Sequence, residues 1–214
     1  MSIVRDWVTK EMKQTAPVIT QFPWEDPKAY GMWLVQTFNM VNHSTRLVAL
    51  AGAYTPIEKS NLHARFVDHA AEERGHEKVC ISDLKALGYE VADFPCLYQS
   101  ASMYQVQYYW IQHLGPTSFF GYTLALECLA EHFGPELYRR TKEAHGEKAA
   151  KFLKLHSAED IEHIQSAFQQ IETLSPDELK LVHENLELSS GLYRSMLTDV
   201  AALAKSYRPT KKSA

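Results

Sequence analysis

The chain has 214 residues, of which 45% are apolar, and a formal net charge of −4 at pH 7. This composition is ordinary for a globular protein and lacks the basic excess that nucleic-acid-binding domains carry. Three cysteines without motif spacing, no apolar run long enough to span a bilayer, and an N-terminus without a signal-peptide core predict a cytoplasmic protein that binds neither nucleic acid nor membrane.

Helix start and stop signals punctuate the chain, and no alternating strand pattern appears in it. Asp26-Pro27 opens a helix that is predicted to run to about Tyr54. The apparent capping box Thr55-Pro56-Ile57-Glu58 opens the next helix, which is predicted to end near Leu87, before Gly88.

Four further helices and one short helix are predicted in the second half of the chain. The first runs from about Ser100 to Leu114, and the second contains Glu127 and ends at Gly134-Pro135. The short helix precedes Gly146. The next helix contains His156 and ends near Thr173, and the last runs from Ser175-Pro176 to about Lys205. We therefore predict an all-α, single-domain bundle of about seven or eight helices over residues 1–206, followed by a basic tail at 207–214.

The predicted helix that ends near Leu87 carries polar residues on an otherwise apolar stripe. Glu73 and His76 form an E-x2-H pair, the spacing with which carboxylate-bridged di-iron bundles aim two ligands inward. Glu72 lies about 100° away around an ideal helix, so Glu73 is the better ligand candidate. His69 lies on the same stripe, one turn before Glu73.

Two later helices repeat this anomaly. Glu127 stands among apolar neighbours in the segment LALECL. His156, Asp160 and His163 form an H-x3-D-x2-H run whose side chains fall on one face of a helix. That face otherwise carries apolar residues, so the three polar side chains occupy positions where core residues are expected.

A metal site explains this coincidence better than separate core polar residues do. A single His or Glu on a helical stripe is more often a hydrogen-bonded core residue than a ligand. Here three imidazoles and three carboxylates converge from three helices, and a buried carboxylate is costly without a cation opposite it. Such nitrogen and oxygen donors suit two iron or manganese ions, and the sequence does not choose between them.

Candidate substrate-pocket residues come from two other segments. Aromatic residues crowd the segments MYQVQYYW and FFGY (Phe119 to Tyr122), which are predicted to wall a pocket, with Tyr104, Tyr108 and Phe120 as the leading candidates. Core packing or a homodimer surface is an equally good explanation of the aromatic residues. His43 and Arg46 belong to a polar insert, where they could hold a substrate carboxylate, although a surface salt bridge fits Arg46 equally well.

The segments HAAEERGHEKVCISDLKALG, LALE and HSAEDIEH resemble the heme-oxygenase-like di-metal oxidases, a superfamily that also includes thiaminase II and the pyrroloquinoline quinone synthase. The resemblance covers roughly residues 33–170 and implies a heme-oxygenase-like helical bundle. Several relatives place the first carboxylate seven residues before the histidine, where this chain has His69, whereas others use the spacing of Glu73 and His76. His69 is thus either a ligand or a group that orients one.

The resemblance also implies an activity. Family members of this type use iron and O2 to oxidise small substrates, such as fatty acids or amino-acid side chains. A non-heme di-iron oxidase or oxygenase is therefore expected, with two iron ions (manganese not excluded), O2 as co-substrate and a small-molecule substrate. The ligands implied by matching position are Glu73, His76, Glu127, His156, Asp160 and His163.

Three alternatives stay open at this point. A thiaminase II-like hydrolase would need a cysteine nucleophile, for which Cys128 is the candidate, and would leave the histidines around Asp160 unexplained. A heme-binding or heme-degrading protein of the same fold could use His43 as axial ligand, but no G-x-x-x-G helix is present. A non-catalytic helical interaction module is the third.

Overall fold

The computed structural model describes residues 3–208, apart from the side chains of residues 158–163. Over the described range the secondary structure is helical, which confirms the all-α prediction. The α-helices in this range are α1 (Ile3–Gln21), α2 (Pro27–Val41), α3 (Ser44–Tyr54), α4 (Ser60–Glu72), α5 (His76–Ala86), α6 (Tyr98–Tyr109), α7 (Phe119–His145), α8 (Lys151–Ile171) and α9 (Pro176–Ser206).

The predicted helix ending near Leu87 is in fact two helices. Glu73 is the C-terminal cap of α4, and Gly75 adopts a left-handed conformation, with φ of 102°, immediately before α5. Only glycine adopts this conformation without steric cost, so the chain turns here between two helical segments. The turn places Glu73 and His76 at adjoining helix ends.

The predicted capping box at residues 55–58 does not form. Thr55 donates its hydroxyl back to the carbonyl of Ala51, at 2.8 Å, and therefore closes α3. A single 3₁₀ turn, Ile57–Lys59, then leads into α4. The pattern predicted a helix start, but the Thr55 hydroxyl is hydrogen-bonded to a carbonyl of the preceding helix and does not cap the next one.

Helix α7 continues through Gly134-Pro135, where the sequence predicted an end. Proline removes one helical hydrogen bond and crowds the preceding turn, which usually breaks a helix. Here the missing side chain of Gly134 lets α8 approach closely, since an added Cβ would lie 3.0 Å from Cβ of Ser157. The contact between α7 and α8 outweighs the local cost of the proline.

A second glycine brings α7 against α9. A Cβ added to Gly121 would lie 2.4 Å from the carbonyl oxygen of Val182 and 2.5 Å from the amide nitrogen of Leu186. The two backbones therefore touch at this point. Helix α7 packs most extensively against α8 and α9, so these three helices form the most closely packed part of the bundle.

The N-terminus of α8 is held by a side chain from α5. Asp83 is completely buried, and its Oδ2 accepts the backbone N–H of Phe152 at 2.8 Å. The first N–H groups of a helix have no partner within the helix, so this carboxylate acts as a cap supplied by a neighbouring helix. The bond fixes α8 relative to α5.

The predicted starts of α2 and α9 are confirmed. Asp26 accepts hydrogen bonds from the backbone of Lys28 and Ala29, and Ser175 forms a capping box with Glu178. Tyr207, placed in the tail by the sequence analysis, instead packs its ring against Phe94, with centroids 5.8 Å apart. Residues 209–214 of the predicted tail lie outside the described residues. Within the described residues, every helix falls short of the apolar length needed to cross a membrane.

We predict that Gly121→Ala strongly destabilises the protein. The added methyl group meets backbone atoms of α9, which cannot move without shifting the helix, so a loss of about 3 kcal/mol in the free energy of unfolding is expected. Gly191→Ala is the matched control, because only the flexible end of Arg194 lies near, at 3.8 Å, and alanine favours the helix. Urea unfolding of both variants measures the effect. Equal stabilities of the two variants would contradict the close contact.

We predict that Asp83→Asn changes how stability depends on pH. Burial raises the pKa of Asp83 from 3.8 to about 6, so ionisation of Asp83 destabilises the folded protein. This destabilisation is absent below pH 4, where the carboxyl is protonated in both states, and complete above pH 6. Asparagine keeps an acceptor for Phe152 without this charge. Relative to the natural protein, the variant should therefore gain about 2–3 kcal/mol between pH 4 and pH 6, measured by urea unfolding. If the stability difference between the variant and the natural protein stayed constant across this range, ionisation of Asp83 would not destabilise the fold.

Candidate metal centre

Side chains from four helices meet in the interior of the bundle. Nε2 of His69 lies 3.5 Å from Oε1 of Glu73 and 3.5 Å from Oε1 of Glu127. Nδ1 of His76 lies 3.5 Å from Oε2 of Glu73. The rings of His76 and His156 are edge to face, with centroids 5.0 Å apart. The structure thus brings together five of the residues that the sequence singled out.

His69 joins the two carboxylates. Its Nδ1 lies 3.3 Å from a guanidinium nitrogen of Arg65, and a guanidinium can only donate a hydrogen bond. Nδ1 is therefore the acceptor, and Nε2 carries the proton and faces Glu73 and Glu127. His69 thus lies between the two carboxylates, at ion-pair distance from each.

His156 has the opposite tautomer. Its Nδ1 donates to the backbone carbonyl of Phe152 at 3.0 Å, and its ring stacks on the phenyl ring of Phe152 at 4.0 Å. A proton fixed on Nδ1 leaves the lone pair of the neutral ring on Nε2, as is usual for metal-bound histidines. The geometry of His156 therefore suits a metal ligand.

The two carboxylates have different electrostatic environments. Burial, together with the charge of Glu73, raises the pKa of Glu127 to about 7, against the influence of His69 and Arg65. Burial also acts to raise the pKa of Glu73, but hydrogen bonds from His69 and His76 reverse this and hold it well below its ordinary value. Glu73 is thus a carboxylate at neutral pH, whereas Glu127 is near its titration point.

Glu127 shows the clearest need for a partner. Its side chain is 9% exposed, and Oε2 is buried without a hydrogen-bond partner among the described residues. Buried polar atoms are nearly always paired, so an atom of this kind calls for an explanation. A cation at this oxygen would provide one, and carboxylate and imidazole donors suit iron.

Two predicted ligands, Asp160 and His163, lie outside the described side chains, although the backbone of α8 continues through both. Among the side chains that are described, no three His, Cys, Asp or Glu groups are already arranged around one point as metal ligands. The described imidazoles and carboxylates instead face one another at ion-pair distances.

A cavity of about 120 Å³ opens beside these groups. Its wall is mainly apolar, and His69, Glu73, Glu127 and His156 supply its imidazoles and carboxylates. The other described side chains of the wall come from α1, α2, α3, α7, α8 and α9: Ile19, Trp33, Thr37, Met40, Val41, Ser44, Val48, Phe119, Tyr122, Thr123, Leu126, Leu129, Ala130, Gly134, Leu137, Phe152, Leu153 and Tyr193.

The structure places the five predicted pocket residues away from this wall. His43 stacks on Tyr104, with ring centroids 3.9 Å apart, and its Nδ1 is hydrogen-bonded to the hydroxyl of Tyr108 at 2.9 Å. Arg46 is exposed and donates to the carbonyl of Asn42. Phe120 is fully buried, but it packs on Phe66. The aromatic segment holding Tyr104 and Tyr108 lies mostly on α6, which contributes nothing to the described wall.

Two residues at the site, Arg65 and Thr37, were not singled out from the sequence, whereas Tyr122 belongs to the aromatic segment that was predicted to wall a pocket. Arg65 precedes His69 by four residues, and this spacing on one helix face is the signal that could have found it. Tyr122 and Thr37 line the cavity with hydroxyls that have no hydrogen-bond partner among the described residues. Their inward direction depends on packing between helices, which the sequence pattern does not reveal.

Comparisons with known proteins agree with this architecture. A crystal structure of a domain of unknown function with a heme oxygenase-like fold, from Shewanella denitrificans, superimposes with a TM-score of 0.84 at 19% identity, covering 100% of each chain. A TenA homologue from Pyrococcus furiosus superimposes with a TM-score of 0.65 at 15% identity, covering 91% of this chain and 99% of that one. At these identities the likeness shows the fold alone.

The sequence itself gives the family. No curated protein matches this chain. A family model described as iron-containing redox enzyme matches residues 32–188, which include every ligand candidate and most of the cavity wall. With a heme oxygenase-like fold and a buried cluster of imidazoles and carboxylates, the chain belongs to the family of iron-containing redox enzymes.

Proposed function

We propose that this protein is a non-heme di-iron oxidoreductase that uses O2 to oxidise a small molecule. The observation that carries the proposal is the meeting of Glu73, His76, Glu127 and His156 beside a mainly apolar cavity. A structural role alone would not require carboxylates and imidazoles from four helices in the same buried place. Family membership supports iron as the metal.

These four residues, together with Asp160 and His163, would hold the iron. Carboxylates can bridge two ions, and imidazoles can hold each ion while leaving positions open. Two iron ions bound there would supply the electrons for the reduction of O2. Manganese takes the same donors, so the proposal of iron rests on the family and not on the donor set.

His69 has a separate task in this proposal. Its Nε2 lies 3.5 Å from a carboxylate oxygen of Glu73 and 3.5 Å from one of Glu127, so it would hold the two carboxylates close to each other. Arg65 keeps the imidazole in the required tautomer from the other side. Groups that orient ligands in this way commonly change metal affinity by about tenfold or more when they are replaced.

The cavity would keep water from the reaction. Phe119, Leu126, Leu129 and Phe152 present apolar surface to the cavity that the carboxylates also line. A dry wall of this kind strengthens the electrostatic interactions inside it and keeps reactive species from side reactions. The substrate would therefore be oxidised in an environment made mainly of hydrocarbon.

The structure does not favour a hydrolase with a cysteine nucleophile. Cys80 and Cys128 are buried, Cys96 is exposed, and none of the three lines the cavity. Burial also raises the pKa of Cys80 well above its ordinary value, which keeps this thiol protonated and unreactive. A nucleophile must touch its substrate, so these positions do not support a thiaminase II-like reaction in this cavity.

A heme protein is not favoured either. His43, the candidate axial ligand, is stacked on Tyr104 outside the cavity wall. The cavity volume of about 120 Å³ is several times too small for a porphyrin. Binding a heme would require the surrounding helices to separate.

We predict that Glu73→Gln lowers iron affinity by about tenfold or more, because it removes a charged donor that faces His69 and His76. Glu72→Gln is the matched control: it is the neighbouring residue, it is exposed, and it should leave iron binding unchanged. Iron content after anaerobic loading and desalting, measured by elemental analysis, gives the result. If Glu72 proved essential and Glu73 dispensable, the inward face of α4 would have been assigned incorrectly.

We predict that the natural protein, loaded with ferrous iron, holds two ions per chain, shows no Soret band and consumes O2 when its substrate is present. Elemental analysis, absorption spectra and an oxygen electrode measure these properties. The triple variant His156→Ala, Asp160→Ala, His163→Ala should lose most of its iron because three donors on α8 are removed. Wild-type iron content in that variant, or turnover of an aminopyrimidine by metal-free protein, would refute the proposal.

A further inference from the structure

Aromatic rings in contact connect the candidate metal centre with the loop between α1 and α2. The ring of His156 stacks on Phe152 with centroids 4.0 Å apart, and Phe152 is edge to face with Trp33 at 6.1 Å. Trp33 is in turn edge to face with Trp24 at 5.1 Å. Centroid separations of this size mean that neighbouring rings touch. The four rings therefore form an unbroken aromatic series that begins at a proposed metal ligand.

The aromatic series has one end at the cavity and the other near the protein surface. Trp33 lines the cavity together with His156. Trp24 is completely buried, but it belongs to the short loop between α1 and α2, and the next residue, Glu25, is exposed. A surface hollow of about 510 Å³, lined by Thr20, Glu25 and residues of α7, borders this loop. A small molecule in solution can therefore approach the loop of Trp24 without entering the cavity.

The hydrogen bonds of the two indoles suit the transfer of electrons without protons. Tryptophan is among the side chains that lose a single electron most readily, and the oxidised indole gives up its N–H proton only if a base accepts it. The indole N–H of Trp33 donates to the hydroxyl of Tyr193 at 3.1 Å, and that of Trp24 donates to the carbonyl of Ile19 at 2.7 Å. Neither acceptor is a base, since a backbone carbonyl does not take up a proton and burial raises the pKa of Tyr193 to about 12, which keeps its hydroxyl neutral. Both indoles can thus lose an electron and regain it while they keep their protons.

Tyr30 is a less suitable carrier of electrons, although it also touches Trp33. Its ring stacks on Trp33 at 5.7 Å and on His145 at 5.3 Å. A tyrosine has to release its hydroxyl proton when it is oxidised, and the Tyr30 hydroxyl donates to the carbonyl of Ala149 at 2.9 Å, which cannot take that proton. The path for electrons therefore runs through Trp24.

We propose that Trp33 and Trp24 carry single electrons from a reductant in solution to the iron centre when the centre has reacted with O2 and no substrate is bound. The inference rests on the proposed function, because it needs iron ions at the centre. An oxidised centre without a substrate would otherwise attack the side chains of its own cavity. The two indoles end that state without a molecule having to enter the cavity.

The electrons of this path balance. Reduction of O2 to two water molecules takes four electrons and four protons. Two ferrous ions supply two of these electrons on becoming ferric, and the substrate normally supplies the others. Without a substrate, Trp33 gives the two missing electrons, one at a time, and Trp24 replaces each of them. Trp24 takes each electron from a one-electron reductant beside its loop, the reductant is thereby oxidised, and the protons reach the centre from water.

The inference is tested by locating oxidised residues in the full-length protein, loaded with iron in the ferric state and freed of unbound iron by desalting. Hydrogen peroxide is added without a substrate, because ferric iron with peroxide reaches the same oxidation state as ferrous iron with O2. A tryptophan that loses an electron and is not refilled reacts with dissolved oxygen and gains mass, which peptide mass spectrometry locates. We expect oxygen at Trp24 and Trp33 in preference to Trp7 and Trp110, although these two are only half-buried. Ferrocyanide, a one-electron reductant, should prevent the oxidation of both Trp24 and Trp33.

Two variants separate a path from two independent targets. Trp33→Phe should abolish the oxidation of Trp24, because the carrier between Trp24 and the centre is lost. Trp24→Phe should leave Trp33 oxidised even when ferrocyanide is present, because Trp33 is no longer refilled. Trp7→Phe is the matched control: Trp7 stacks on His183, apart from the aromatic series, and its replacement should leave the pattern unchanged.

Three results would overturn the inference: oxidation of Trp24 that persists in Trp33→Phe, oxidation of Trp7 and Trp110 as heavy as that of Trp24, or intact tryptophans in the iron-loaded natural protein. The second and third comparisons use the natural protein, so they decide the question even if a variant fails to fold. Elemental analysis separates this inference from the proposed function. A protein that binds no iron would refute both, whereas iron-loaded protein with intact tryptophans would refute the inference alone.

Discussion

Two carboxylates buried inside an apolar bundle are the constraint from which the rest of the site follows. Glu73 and Glu127 come from different helices and face the same imidazole, at 3.5 Å each. Without opposite charges or donors, their burial would cost more than a small core can offset. His69 and Arg65 supply donors and positive charge on the side of α4. The second carboxylate oxygen of Glu127, Oε2, has no hydrogen-bond partner among the described residues. The chain must therefore end α4 at Glu73, and Gly75 makes that turn possible.

The relation between α5 and α8 depends on one further buried carboxylate. Asp83 caps α8 through Phe152, and Phe152 in turn accepts from His156 and stacks on its ring. His76 lies on α5, two turns before Asp83. The same short segment of α8 thus receives the cap and presents the histidine. The separation of the His76 and His156 rings is consequently set by backbone hydrogen bonding and not by flexible side chains alone.

Two local cap signals in the sequence predicted local structure correctly, although the capping box predicted at residues 55–58 did not form. Asp26 and Ser175 cap helices through side-chain bonds to residues two or three positions away, so nearby sequence contains all the information needed. The stripe containing His69, Glu73 and His76 was equally visible, because side chains on one face follow the helical period. The placement of these residues agrees with the stripe even though the helix breaks between Glu73 and His76.

Signals that depend on tertiary contacts were misleading. Gly134-Pro135 normally ends a helix, yet here the glycine admits α8 and the helix continues. The aromatic residues Tyr104 and Tyr108 suggested a pocket but lie outside the cavity wall, whereas Phe119 and Tyr122 of the second aromatic segment line it, together with Trp33 and Tyr193. Which aromatic side chain faces a cavity depends on how the helices pack, and no periodicity within one helix contains that information.

The two glycines of α7 determine more than packing. Gly121 holds the helix against α9, and Gly134 holds it against α8, so α7 can neither rotate nor slide without backbone collisions. Tyr122 and Glu127 are both carried by this fixed helix, five residues and roughly 7.5 Å of helical rise apart. The spacing between these two residues of the cavity wall is therefore set by the rise of a single helix, and no loop takes part in setting it.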